Sequence, residues 1–136
     1  MVSVIILYDK EGKMLLEHRT ETRKNYPGCW GLFGGRAEKG ETPEQTVRRE
    51  IKEELNYDLS HPVLLYTQHL EHGSEKHVYV EAYDESQAIT LQPRESQGYA
   101  WLTLEEYKKL SPTISHDTEP LEKAWEYIQK QSGRGQ

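Results

Sequence analysis

The chain opens on an apolar run, Val2 to Tyr8, then the polar stretch Asp9-Lys10-Glu11-Gly12, then a second apolar run at Met14-Leu15-Leu16. Apolar, β-branched runs flanking a glycine-bearing turn predict a β-hairpin. Arg19 to Cys29 is polar and carries Pro27 and Gly28, which predicts a loop. Trp30 to Phe33 is a short apolar strand running into Gly34-Gly35. Thr42-Pro43-Glu44-Gln45 marks a helix start: Thr at the N-cap, Pro at the first helical position, and Gln three residues on as the capping-box partner. Val47, Ile51 and Leu55 then form an i, i+4, i+8 stripe that carries the helix to Leu55, where Asn56 tolerates a left-handed stop.

Two further strands are predicted at Val63 to Leu70 and His77 to Tyr83, around a Gly73-Ser74 turn, and another at Tyr99 to Leu102. Thr103-Leu104-Glu105-Glu106 repeats the capping signature and opens a short helix to Leu110. From Asp117 to Gln131, the residues Leu121, Ala124, Trp125 and Ile128 fall on one helical face, and Ser132 to Gln136 is expected to form a disordered tail. There is no internal repeat and no linker, so residues 1–131 read as one domain. Strands mixed with three helical segments predict an α/β fold, with helices on both faces of a mixed sheet.

Composition narrows the function. A chain of 136 residues suits a single hydrophobic core. Its formal charge of −6 argues against a constitutive nucleic-acid or anionic-membrane binder, which would present a basic face. A phosphate ligand stays open, because a divalent cation can stand between carboxylates and phosphate. Cys29 is alone and forms no internal disulfide. The opening segment lacks a basic region and a small-residue cleavage site, and no apolar stretch is long enough to span a bilayer. These features lead to the expectation of a cytoplasmic protein.

Chemistry concentrates between Gly34 and Tyr57. With Glu50 set at zero on the helix, Glu54 falls at about 40° and Glu53 at about −60°, so three carboxylates share one arc beside the apolar stripe. Like charges at these spacings repel by a few tenths of a kcal/mol per pair, and a hard cation such as Mg²⁺ would neutralise them. Gly34 and Gly35 let the backbone approach closely. Arg49 lies one turn before Glu53, within reach of it or of Glu41. Taken alone, such a charge run is more often a solvated face.

The frame in which these residues stand resembles a known motif. Gly35-x5-Glu41-x7-Arg49-Glu50-Ile51-x-Glu53-Glu54-x-Asn56-Tyr57 is similar to the Nudix box, GX5EX7REUXEEXGU, with every charged position matched. Asn56 replaces the glycine, Tyr57 the aliphatic residue, and Phe33 stands where many members carry proline. The order of hairpin, loop, box helix, strands and final helix also fits the family, which implies its α/β/α sandwich.

The resemblance implies binding of Mg²⁺ or Mn²⁺ by Glu50, Glu53 and Glu54, with the Gly35 carbonyl as a further ligand. It makes Glu50 a candidate base and casts Glu41 and Arg49 as structural partners holding the loop to the helix. Glu95 is the candidate extra catalytic carboxylate, against the plainer reading of a surface glutamate. Arg19 and Arg36 are candidates to contact substrate phosphates, Tyr26 to stack on a base, and Trp30 to pack in the core; solvation is the competing reading for both arginines. His69, His72 and His77 match no metal-ligand spacing and read as surface residues, and Cys29 has no visible base partner.

The expected activity is hydrolysis of a phosphoanhydride bond in a nucleoside diphosphate derivative. The chain carries none of the marks associated with ADP-ribose, dinucleoside polyphosphate, NADH or coenzyme A substrates, so it most resembles the MutT-like members. Those convert nucleoside triphosphates, oxidised ones included, to the monophosphate and pyrophosphate. A nucleotide-sugar or other nucleoside diphosphate hydrolase, and a silent nucleotide-binding domain, stand as alternatives. The silent form tends to lose box carboxylates, and this chain keeps them. The expected partner is a small nucleotide; oligomeric state is open, a homodimer among the options.

Overall fold

The computed structural model describes residues 1–133. Seven strands form one mixed sheet: β1 (Val2–Tyr8), β2 (Met14–Arg19), β3 (Trp30–Gly31), β4 (Phe33–Arg36), β5 (Val63–His69), β6 (Glu75–Ala82) and β7 (Ser96–Leu102). Three helices accompany it: α1 (Pro43–Leu55), α2 (Leu104–Lys108) and α3 (Thr118–Ser132). The expected α/β/α sandwich is present.

The predicted hairpin forms, but β1 and β2 share register only at its closed end, where Tyr8 faces Met14. The Asp9 side chain closes the turn by accepting from the backbone N–H groups of Glu11 and Lys13 at 3.0 and 2.9 Å. Beyond the turn the two strands part. β1 takes parallel β6 on its outer side, and β2 takes antiparallel β7. The wedge between them is filled by the bent segment Trp30–Arg36. Its first half pairs with Glu17 and His18 of β2, and its second half places Gly35 and Gly34 opposite Ser3 and Val4 of β1. At the crossing, the Leu32 N–H turns to the Asp117 carboxylate at 3.0 Å, so the buried donor is satisfied.

Strand alternation sends Val4 and Ile6 to one face, where they meet Leu121, Ala124 and Ile128 of α3. Ile5 and Leu7 go to the other, against Val47, Ile51 and Leu55 of α1. β1 is covered on both sides, which is why its sequence is an unbroken apolar run. Trp30 packs against the α3-side core and stacks on His18 with ring centroids 4.3 Å apart. Trp101 and Trp125 pack against the α1-side and α3-side cores.

Differences from the sequence reading fall at element ends. β6 begins at Glu75 and β7 at Ser96, both through polar residues that half-buried strands tolerate. The helix expected to run to Leu110 ends at Lys108, with Lys109 as its cap. Asp117 does not cap α3, because its carboxylate is held by Leu32 and Lys76; it lies in a 3₁₀ turn and the helix starts at Thr118. Ser132, expected in the tail, is the last residue of α3, and residues 134–136 lie outside the described residues. Among the described residues no helix is long and apolar enough to cross a membrane.

The α1 cap is complete: Thr42 accepts from the Gln45 N–H, the Gln45 side chain accepts from the Thr42 N–H, and Asn56 ends the helix at φ 52°. Thr42→Ala is expected to lower unfolding free energy by about 1 kcal/mol, read by thermal or urea denaturation.

Candidate active site

Helix α1 carries Glu50, Glu53 and Glu54 along one edge. With Gln92, Arg94 and Glu95 they line a cavity of about 240 Å³. Glu95 reaches this place because its loop is pinned. Its carbonyl accepts from the Thr20 N–H and from the Arg23 guanidinium, each at 3.0 Å, and the Arg94 carbonyl accepts from the Thr20 hydroxyl at 3.2 Å.

The three helix carboxylates differ sharply in surroundings. Glu54 is 6% exposed, and one of its oxygens accepts from the Gly34 N–H at 3.0 Å. Burial pushes its carboxyl well above the usual range, and the charges of Glu17, Glu50 and Glu95 push the same way. Glu50 is half-buried and also raised by burial, with Arg49 opposing and Glu53 and Glu95 reinforcing. Glu53 is exposed and pairs with Arg49 at 3.3 Å. Among the described residues no three acidic, imidazole or thiol groups stand ready-made as a metal cage. The carboxylates of Glu50 and Glu53 turn toward Arg49 instead, at 3.0 and 3.3 Å.

Arg49 does what the sequence assigned to it and more. It donates to both oxygens of Glu41, at 2.7 and 3.0 Å, and to the Arg36 carbonyl at 3.0 Å, so it ties the loop after β4 to α1. Glu41 also accepts from the Glu38 N–H and the Thr46 hydroxyl. A Cβ at Gly35 would meet the Glu50 carboxyl carbon at 2.4 Å, so a side chain there would displace that carboxylate.

Sequence reasoning missed Glu17. This β2 residue is 2% exposed, accepts from the Ser96 hydroxyl, and lies near Arg19 at 3.6 Å and Arg23 at 3.4 Å. Burial raises its pKa, against Ser96 and the two arginines, and its charge acts on Glu54. The available signal was a carboxylate directly after the apolar Met14-Leu15-Leu16 run, in the same predicted hairpin strand.

A second cavity, of about 510 Å³, lies where β1 begins and includes Arg19, Tyr26, Gly34, Gly35, Arg36 and His116 in its lining. The three residues proposed from the sequence to contact substrate therefore meet here. Their states differ. Arg19 is buried with its guanidinium engaged by the Asn25 and Tyr26 carbonyls at 2.7 to 3.2 Å, so it shapes the loop and is not solvated. Arg36 is exposed, and among the described residues its guanidinium makes no ion pair. Tyr26 is 46% exposed, at φ 51°. A further cavity of about 550 Å³ sits at the far end of β1, around Tyr8 and Tyr83, away from the carboxylates. His69 and His72 are exposed, but His77, expected at the surface, is half-buried on β6 with its Nδ1 3.2 Å from the Thr67 hydroxyl, and Cys29 is half-buried.

The NUDIX domain model matches residues 1–123. The chain belongs to the Nudix family. It is 30% identical over 113 residues to an uncharacterised Nudix hydrolase of Listeria innocua, covering 81% of this chain and 67% of that one. It is 43% identical over 53 residues to the nucleoside triphosphatase NudI of Escherichia coli, a match covering 39% of this chain and 38% of that protein. A MutT NUDIX hydrolase from Burkholderia pseudomallei superposes with TM-score 0.71 at 27% identity, covering 89% of this chain and 97% of the other. The chain is thus a Nudix pyrophosphohydrolase, an enzyme class that generally uses divalent cations.

The Arg49 clamp has a pH signature. Arg49, then the Glu38 N–H, hold the Glu41 carboxyl at about 2, below its ordinary 4.5. A depressed folded pKa contributes stability that is present above the unfolded value and lost as pH falls through the folded one. Glu41→Gln is therefore expected to lower the melting temperature at pH 7, with the deficit shrinking between pH 4.5 and 2. A deficit constant across that window in paired melts would remove the clamp from the account.

Proposed function

We propose that this Nudix enzyme hydrolyses a phosphoanhydride bond of a nucleoside triphosphate, releasing the monophosphate and pyrophosphate. The observation that carries the reading is a shared wall. Gly34 and Gly35 line the 510 Å³ cavity, while the Gly34 N–H binds Glu54 and Gly35 abuts Glu50. A nucleoside held in the cavity would run its phosphates past the glycines toward the carboxylates. The partial match to a protein named nucleoside triphosphatase, and the MutT-like fold, support a triphosphate over a nucleotide sugar.

The residues fit a hard divalent cation. The donors are all oxygens, the glycine at 35 leaves room for the Glu50 carboxyl, and a buried Glu54 beside three other carboxylates calls for positive charge. Glu50, Glu53 and Glu54 would hold Mg²⁺ or Mn²⁺, with the Gly35 carbonyl beside them. A bound cation supplies charge neutralisation at the phosphates and a more acidic water. Glu50 and Glu95, half-buried beside this edge, are the two carboxylates suited to take the proton from the attacking water. Arg36 is free to meet phosphate oxygens. Glu41 and Arg49 hold the frame.

Chelation is expected to abolish turnover and Mg²⁺ or Mn²⁺ to restore it. Glu54→Gln keeps the shape and removes a ligand charge, and kcat is expected to fall at least about a hundredfold. In ¹⁸O-water, dGTP or its oxidised form should give monophosphate and pyrophosphate, resolved by chromatography and mass spectrometry. Release of orthophosphate, or turnover confined to nucleotide sugars, would sink the triphosphate assignment and leave the family membership standing.

A further inference from the structure

Beneath the 510 Å³ cavity lies a lysine that ordinary folding does not account for. Lys76 is 1% exposed, on β6, and its ammonium donates to three acceptors: the Asp117 carboxylate at 2.5 Å, the His116 Nδ1 at 2.8 Å and the His116 carbonyl at 2.9 Å. An ammonium has three donors and no acceptor, so all three are engaged. His116 Nδ1 must then accept. In neutral imidazole the other nitrogen, Nε2, carries the proton. Burial first, then the Lys76 charge, lower the His116 pKa and keep the ring neutral.

The His116 Nε2 lies 3.2 Å from the Tyr26 hydroxyl oxygen. With the tautomer fixed from below, Nε2–H donates and the phenol accepts. One lone pair of a phenol is delocalised into its ring, so His116 fills its one strong acceptor position. Among the described residues the Tyr26 proton is left without a protein partner, at the wall of a cavity whose other sides include Leu32, Leu70 and Ile114. The backbone beneath the ring is held in place. Arg19 grips the Asn25 and Tyr26 carbonyls, and the Tyr26 and His116 rings meet edge-on with centroids 5.6 Å apart.

We propose that Lys76, His116 and Tyr26 form a hydrogen-bond chain of fixed direction that presents the Tyr26 O–H as a donor, selecting nucleotides whose base carries a carbonyl oxygen at position 6 of a purine or position 4 of a pyrimidine. This rests on the nucleotide reading of the cavity and specifies which base it prefers. Guanine and uracil place a carbonyl where adenine and cytosine place an amino group. An amino group facing Tyr26 leaves two protons opposed and the hydroxyl proton unmatched. Leu32, Leu70 and Ile114 offer the face of a base an apolar surface, while Arg36 on the same cavity is the group suited to a phosphate. Tyr26 contacts the ligand, and His116 and Lys76 are positioning residues acting through it.

Monophosphates carry no phosphoanhydride bond, so their binding can be measured without turnover, in chelator, by titration calorimetry on the full chain. UMP is expected to bind about five- to tenfold more tightly than CMP, and GMP than AMP by a similar factor, the worth of one hydrogen bond. Tyr26→Phe removes only an exposed oxygen and should reduce each ratio to below about twofold by weakening UMP and GMP alone. His116→Ala should narrow the ratios as well, since it frees the phenol to accept from an amino group. Ratios near one in the unmodified chain, ratios that survive Tyr26→Phe, or no binding of any of the four would overturn the proposal. Equal weakening of all four by Tyr26→Phe would assign the acceptor to the phosphate and also overturn it. The hydrolysis assay stands apart: loss of triphosphate turnover with the keto preference intact removes the proposed reaction and not this selectivity.

Discussion

One guanidinium organises the carboxylate edge of this molecule. Glu41, Glu50 and Glu53 all direct carboxylate oxygens at Arg49, which also donates to the Arg36 carbonyl. Exposed ion pairs taken singly contribute little, because water screens them and ordering long side chains costs entropy. Here the partners come from two segments, and the Glu41 pairing is two-pronged, which a lysine cannot reproduce. The clamp fixes where the loop after β4 ends relative to the first turns of α1. Everything that depends on that registration follows, including the approach of the Gly34 N–H to Glu54 and the packing of Gly35 on Glu50.

The sheet contributes the other constraint. Two strands that meet at one pair of residues and then separate leave a wedge, and a segment crossing that wedge must change partners midway. The change exposes backbone groups that ordinary pairing would satisfy. Leu32 hands its N–H to Asp117, and Gly34 hands its own to Glu54. Two carboxylates on opposite helical layers thus serve as substitutes for missing strand neighbours. One of them, Asp117, is further neutralised by Lys76 at 2.5 Å. The other, Glu54, makes no ion pair among the described residues and feels three like charges. The same topological need therefore produces a closed, quiet ion pair on one side and an electrostatically unsatisfied acid on the other. The unsatisfied side is where chemistry is proposed to occur.

Local signals were legible from the sequence because each is written within a few residues. The hairpin turn, the Thr42 and Thr103 capping boxes, the apolar stripe of α1 and the left-handed stop at Asn56 all depend on neighbours in the chain. The box residues belong to the same class, since Glu41 and Arg49 meet across one loop and two helical turns. What stayed hidden is long-range. Glu17 and Ser96 are far apart in sequence, as are Lys76 and Asp117, and neither pair leaves a periodic trace. Asp117 reads in the sequence as the first residue of the last helix because the apolar face begins just after it. Tertiary demand for a partner at Leu32 and Lys76 overrode it. Arg19 looked like a phosphate ligand because it ends a strand beside a polar loop, and the loop itself takes up its donors.

Arg19 shows why the two cavities should be treated as one device. Burial and the nearby Arg23 lower its pKa, and the opposing influences come from Glu17, Glu54 and Asp117 together. A single buried cation therefore senses the carboxylate cluster on the α1 layer and the Asp117 pair under the α3 layer. Its own hydrogen bonds go to neither; they go to the loop that carries Tyr26. The loop residue at issue sits at φ 51°, a backbone state that a tyrosine holds only when its surroundings over-determine it. The proposed base and phosphate subsites thus border one side chain, which lies near the carboxylates of one and hydrogen-bonds the loop of the other.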